Sequence, residues 1–267
     1  MQSTLSSVNS AFSKQSLHFD EDDLSNPVLQ RMRQQVYLHV EQYLMPKSKI
    51  LELNAGTGID AIHFVKRGHR VHATDLSSGM IDQLKKKAEI MTKGQALTVQ
   101  QLSYVELDKL SEKDFDYVFS NFGGLNCISD LSAVTRYLPS LLRPNSYITF
   151  VIMPVICPWE IASIFRNGKK ALRRFRPQGV LAHLEGEYFQ TYYHSLTNIR
   201  KAFDSRFRFV KTEGLAALSP QPHNVNFEKS SPRINDFLNR LDSRVRNHFP
   251  FNRWADHIIV TFQYTPE

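Results

Sequence analysis

The chain has 267 residues, long enough for a sizeable core and for one domain carrying insertions, and its 42% hydrophobic and 22% charged residues are ordinary for a soluble globular protein. A net charge of +7 and a pI near 9.4 favour anionic partners without naming one. Cys127 and Cys157 give neither a disulfide framework nor metal-ligand spacing, residues 1–16 lack the apolar run of a signal peptide, and the longest apolar stretch, residues 147–158, is too short to span a bilayer. The expectation is a cytoplasmic protein with no transmembrane segment and no metal.

Residues 1–26 read as a polar, flexible arm, in which the acidic stretch 18–23 is either a solvated tail or a flap. Ser25-Asn26-Pro27 then predicts a helix start, and Leu29, Met32, Val36, Val40 and Tyr43 follow at helical spacing through residue 44. Arg31 and Arg33 on this helix read as solvated. Ile50, Leu51 and Leu53 form a short apolar run with one charge, Glu52, as expected of a buried parallel strand. A loop with Gly56 and Gly58 follows, and residues 59–66 predict a helix. Strand, glycine loop and helix start form a nucleotide-binding arrangement: glycine admits a ligand close to the backbone, and the helix N-terminus offers free N–H groups.

Two fingerprints fit this loop. Gly56-Thr57-Gly58-Ile59-Asp60-Ala61 matches G-x-G-x-x-A, a form of the dinucleotide motif, and residues 52–58 match Glu-x-Asn-x-Gly-x-Gly. In the second, Asn54 replaces a glycine, and Asn tolerates positive φ. Charge separates the two ligands. A carboxylate 4 Å from a pyrophosphate charge repels it by about 4 kcal/mol at an effective dielectric of 20. A ligand bearing cations is attracted instead.

Residues 69–74 predict the second strand, closed by Asp75. One ionised carboxylate there can accept hydrogen bonds from two adjacent ribose hydroxyls. Ser77 or Ser78 caps a helix over 79–91, whose Lys85-Lys86-Lys87 reads as a solvated face. Residues 97–102 predict a third strand, followed by Ser103-Tyr104. The fourth spans residues 115–120, with Asp116 near its start and Asn121-Phe122-Gly123-Gly124 leaving it. A helix over 131–142, a turn at Arg143-Pro144-Asn145 and a strand over 146–153 follow. Later elements are strands over 206–213 and 257–264 and a helix over 233–248.

Over residues 28–153 this order of motifs resembles the class I S-adenosylmethionine (SAM) dependent methyltransferases. The resemblance implies an α/β fold: a doubly wound, mostly parallel seven-stranded sheet with an antiparallel last strand. It divides the chain into the arm at 1–26, a core at 27–153, and substrate-lid insertions at 154–205 and 218–255. It implies SAM as cofactor, held by Glu52, Asn54, Ala55, Gly56, Gly58, Asp75, Leu76, Met80, Ser103, Tyr104, Asn121 and Phe122. The reaction expected is methylation of a small molecule at oxygen, on an acidic or aromatic acceptor. The alternatives are an NAD(P)-dependent oxidoreductase and a catalytically inactive SAM-binding regulatory protein.

An oxygen nucleophile usually needs a base with a pKa near the working pH, for which histidine suits. His194 and His257 are the candidates; each also reads as a structural or surface histidine. Trp159 and Tyr193 are candidates for stacking on a planar substrate, or for core packing. Arg166, Lys169, Lys170, Arg173, Arg174 and Arg176 make a basic run in the first insertion. It reads either as a solvated face or as a surface that recruits an anionic, carrier-bound or membrane-associated acceptor, with Arg173 and Arg174 binding substrate. No nucleic-acid module surrounds it, so nucleic acid is not the expected partner.

Overall fold

In the computed structural model, residues 2–92, 96–110, 112–164, 168 and 171–266 are described. The strands are β1 (Lys49–Leu53), β2 (Arg70–Asp75), β3 (Leu97–Gln101), β4 (Phe115–Ser120), β5 (Leu142–Ile152), β6 (Val180–Leu184), β7 (Glu187–Thr191), β8 (Phe207–Leu215) and β9 (His257–Tyr264). Seven of them form one sheet in the order β3-β2-β1-β4-β5-β9-β8, and β6 and β7 form a separate hairpin. The pairs among β1 to β5 are parallel, and β9 runs antiparallel to both β5 and β8. The expected α/β sheet with its antiparallel last strand is present.

Both faces of the sheet are buried, which is why its central strands read as apolar runs. On β1, Leu51 and Leu53 enter one core with Val118, Ile148 and Phe150, while Ile50 enters the other with Tyr117, Phe119 and Val151. The second core is closed by α3 (Pro27–Val40) through Val28, Met32, Val36 and Val40, and by α4 (Ile59–Lys66) and α5 (Ser78–Thr92). Asn26 caps α3 as its sequence predicts, its Oδ1 accepting from the N–H groups of Val28 and Leu29 at 3.1 and 3.2 Å.

Three stretches differ from expectation. In place of a flexible arm over 1–26, the structure has from residue 2 onward α1 (Gln2–Gln15) and α2 (Phe19–Ser25). The helix expected over 131–142 is only α6 (Ser132–Thr135), followed by a 3-10 turn at Leu138–Ser140, and Leu142 already pairs with Phe115. Pro139 explains the break, because it lacks a donor and clashes with the preceding turn. The β6–β7 hairpin has no counterpart among the predicted elements. It turns at Glu185-Gly186, both with positive φ (51° and 80°), as two-residue hairpin turns require. Further α-helices among the described residues are α7 (Pro158–Ala162), α8 (Leu196–Lys201), α9 (Val225–Ser230) and α10 (Pro232–Val245).

Candidate active site

A cavity of about 300 Å³ opens beyond the C-terminal ends of β1, β2 and β4, where doubly wound sheets bind their ligands. Its floor is the loop from β1 to α4. Asn54 and Gly56 have positive φ (46° and 56°), and Gly58 caps α4 at 84°. A Cβ on Gly58 would stand 2.0 Å from Leu84 Cδ1, so this turn excludes a side chain. Asn54 supplies more than a tolerated backbone angle. Its Oδ1 accepts from Ser120 Oγ at 2.6 Å and its Nδ2 donates to the Asn121 carbonyl at 3.1 Å, tying the loop to the exit of β4. The side chain occupies space left by Gly124, where a Cβ would come within 2.4 Å of Asn54 Cγ.

Asp75 closes β2 and faces the cavity. Its Oδ2 accepts from the Gly56 N–H and its Oδ1 from the Ser77 N–H, each at 2.8 Å. Burial raises its carboxyl above the usual range, against these bonds. Behind the loop, Glu52 is 2% exposed and its Oε2 has no hydrogen-bond partner among the described residues. Burial, with the nearby Asp60 and Asp75 charges, pushes the Glu52 carboxyl well above the usual range. An orphaned buried carboxyl oxygen is costly, and a cationic ligand group would relieve it.

No sequence motif marks Asp60 as a site residue, and the helical pattern alone makes Arg33 solvated. The structure corrects both. Arg33 is 5% exposed, bridges Asp23 and Asp60, and stacks over the Phe122 ring at 4.8 Å. Asp60 also accepts from Tyr37 Oη at 2.6 Å and from Asn121 Nδ2 at 2.9 Å. Burial works against its charge, yet Arg33 and these donors hold its carboxyl below the usual range. Arg33 and Asp60 both line the cavity. No local pattern in the sequence pairs them, since they lie 27 positions apart.

Of the residues expected to hold a cofactor, Asn54, Ala55, Gly56, Asp75, Leu76, Met80, Tyr104, Asn121 and Phe122 line the cavity. Gly58 shapes the loop, Glu52 sits behind it, and Ser103 is buried, its Oγ accepting from the Val105 N–H. The opposite wall comes from segments that carry no motif: Val8 and Phe12 of α1, Phe19 of α2, and Phe189 and Thr191 of β7. Phe12 and Phe189 lie 5.8 Å apart, and Lys14 pairs with Glu187 at 2.8 Å, so helix and hairpin meet over the cavity. On the other flank Ser13 Oγ bonds Ser77 Oγ at 2.9 Å and accepts from the Gly79 N–H at 3.1 Å. A Cβ on Gly79 would stand 2.6 Å from the Ser13 carbonyl oxygen.

The remaining candidates lie elsewhere. His194 is buried, its Nε2 bonded to the Ile128 carbonyl at 3.0 Å, and burial lowers its pKa. It is not in the cavity wall. His257 is one layer behind the wall, its ring 5.8 Å from that of Phe122 and its Nδ1 2.9 Å from Asp256 Oδ2. Trp159 donates to the Leu218 carbonyl and packs on Phe227, away from the cavity.

The two arginines are not free to recruit an anion. Arg173 is bidentate on Glu160, at 2.9 and 2.8 Å. Arg174 is buried, bonds Glu160 and Asp256 at 2.8 Å each, and stacks over Tyr193 at 4.9 Å. These contacts use the charge inside the fold and bind the first insertion to Asp256, the residue before β9. The grouping of Cys157, Glu160 and Asp256 is accordingly filled by a guanidinium. Arg166, Lys169 and Lys170 lie outside the described residues.

Residues 50–145 match the family model for a methyltransferase domain. A demethylmenaquinone methyltransferase from Corynebacterium efficiens is 28% identical over 133 residues, covering 49% of this chain and 54% of the relative. A tRNA 5-carboxymethoxyuridine methyltransferase from Escherichia coli is 32% identical over 107 residues, 39% of this chain and 40% of the relative. The chain spans about half the length of the curated relatives it matches. Among solved structures, the 1,6-didemethyltoxoflavin-N1-methyltransferase of Burkholderia thailandensis, with 1,6-didemethyltoxoflavin and S-adenosylhomocysteine bound, shares the fold at a TM-score of 0.57 and 16% identity, covering 98% of this chain and 88% of that one. Further SAM-dependent methyltransferases of known structure share it as well.

Proposed function

With a class I SAM-dependent methyltransferase fold and a methyltransferase-domain match as premises, we propose that the chain transfers a methyl group from SAM to a small molecule, at an acceptor oxygen. The orphaned oxygen of Glu52 behind the glycine loop carries this reading. It wants a cation, and SAM brings an ammonium and a sulfonium. A dinucleotide would set its pyrophosphate beside the ionised Asp60 and the Asp75 carboxyl, where the lining cation Arg33 is already paired with Asp23 and Asp60. The residues present fit SAM: Asp75 would accept from the ribose hydroxyls, Leu76 and Tyr104 would flank the base, and Gly56, Asn121 and Phe122 would border the methionyl part.

SAM supplies a methyl group already activated on sulfur. The protein's part is then to position the acceptor and to exclude water, which Phe12, Phe19 and Phe189 favour. Where the acceptor hydroxyl must lose a proton, His257 is the base we assign, reached once the Phe122 ring that separates it from the cavity turns aside. With its Nδ1 turned to Asp256, Nε2 is the atom left to receive a proton. The cavity of about 300 Å³ and the internally paired Arg173 and Arg174 favour a small, largely apolar acceptor over RNA, although the Escherichia coli relative is a tRNA enzyme.

Calorimetry with SAM, its demethylated product and NADH, followed by incubation of cell extract with methyl-labelled SAM, tests the proposal. The expected result is binding of the first two ligands and label in the small-molecule fraction. NADH binding without SAM binding overturns the cofactor, label in RNA overturns the acceptor class, and SAM binding without transfer leaves a regulatory SAM-binding protein.

A further inference from the structure

Helix α10 is turned the wrong way round for a globular surface. Its deeply buried residues are polar: Asn235 is 2% exposed and Asp242 8%. Asp242 anchors the helix by accepting from the N–H groups of Leu218 and Ser219 at 2.8 and 2.9 Å. Meanwhile Ile234 and Phe237 are 54% and 63% exposed. Together with the half-buried Leu241 they fall at i, i+3 and i+7, a single stripe. Beside that stripe run Arg233, Arg240 and Arg244, at i, i+7 and i+11, all exposed and in no ion pair among the described residues. The turn after the helix adds Phe249, 70% exposed, with the Arg253 guanidinium 5.6 Å from its ring.

We propose that this face docks on an anionic lipid surface, with Ile234 and Phe237 entering the headgroup–acyl boundary and the arginines meeting lipid phosphates. An apolar stripe edged by cations, on a helix fixed to its domain by Asp242, is the pattern of an interfacial helix. Long arginine side chains can lie along the boundary and keep their charge in the headgroups. Charge selects this occupant over a second copy of the chain. A self-paired face would bring these arginine rows together, on a molecule whose net charge is already +7. The site is separate from the SAM cavity, which α10 does not line.

The experiment is co-sedimentation of the full chain with phosphatidylcholine vesicles, with and without phosphatidylglycerol, at low and physiological salt. Wild type should pellet with the phosphatidylglycerol vesicles and lose binding as salt rises. Arg240→Gln with Arg244→Gln should lower the partition coefficient about thirtyfold, the loss of two membrane-facing cations. Ile234→Ser with Phe237→Ser should lower it at least as much. Both double variants should keep the wild-type melting temperature, because neither touches the Asp242 anchor. The proposal is overturned if wild type stays in the supernatant, if both variants bind like wild type, or if wild type is a dimer that Ile234→Ser with Phe237→Ser dissolves while vesicles bind neither. None of these readouts depends on methyl transfer.

Discussion

The two candidate histidines are separated by what each ring nitrogen touches. His194 spends Nε2 on a backbone carbonyl inside the core, so His194→Ala should lower the melting temperature and leave SAM binding intact. His257 retains an Nε2 behind Phe122, and His257→Ala should lower kcat about 10²-fold or more with little change in SAM affinity. Equal turnover for wild type and His257→Ala across pH would remove it as the base. Asp75→Ala should weaken SAM binding by about 1.5–3 kcal/mol per lost charge-assisted hydrogen bond, read by calorimetry. The same variant releases the Gly56 and Ser77 N–H groups, so the glycine loop should also exchange amide hydrogens faster.

The roof of the cavity is two elements that come from distant parts of the sequence, α1 and the β6–β7 hairpin. Gly79 tests their hold without touching the cavity wall. Gly79→Ala places a methyl where the Ser13 carbonyl oxygen sits at 2.6 Å, so α1 must lift. Faster hydrogen exchange over residues 5–15 and faster SAM dissociation are the expected results. Unchanged exchange there would mean that the helix does not seal the site. This roof is also the part that sequence does not disclose. The strands of the sheet are legible because burial on both faces forces apolar runs, as at Ile50-Leu51. The docking of α1 is not, because its few apolar positions, Val8, Ala11 and Phe12, are set among serines, and Asn9, Ser10 and Ser13 complete the docking through side-chain hydrogen bonds to distant segments. Arg33 is illegible for a related reason: its acids, Asp23 and Asp60, come from other elements, 10 and 27 positions away. The floor is readable since a glycine loop after a buried strand is a local pattern.

Across the whole molecule, a chain of hydrogen bonds threads the sheet from α3 to β4. Glu213 on β8 bonds His39 at 3.0 Å, His39 bonds Thr261 at 2.7 Å, Thr261 bonds Thr149 at 2.7 Å, and Thr149 bonds Tyr117 at 2.6 Å. Burial opposes the Glu213 charge, but His39 and Lys211 hold its carboxyl at about 2, below the ordinary 4.5. A depressed carboxyl contributes stability that is complete above pH 4.5 and is lost as pH falls toward 2. A tenfold change in proton affinity is worth about 1.4 kcal/mol, so Glu213 contributes about 3 kcal/mol. Glu213→Gln should therefore flatten the acid limb of the unfolding curve in that window. Identical limbs for variant and wild type would place acid sensitivity elsewhere. Arg174→Met should cost about 3–5 kcal/mol by leaving Asp256 buried without its guanidinium and Glu160 with Arg173 alone, seen as a shifted denaturant midpoint.

The interlock of Asn54 with Gly124 also constrains the order in which the two positions can change. Gly124→Ala is blocked while Asn54 stands, since the new methyl would lie 2.4 Å from its amide. Asn54→Gly opens that space, at the loss of the bonds to Ser120 and Asn121, and only then does a side chain at 124 become admissible. The route from this loop to one with three alternating glycines therefore passes through position 54 first. A lineage that accepted a residue other than glycine at 124 would find the return to asparagine closed, so the pair acts as a one-way gate on sequence drift.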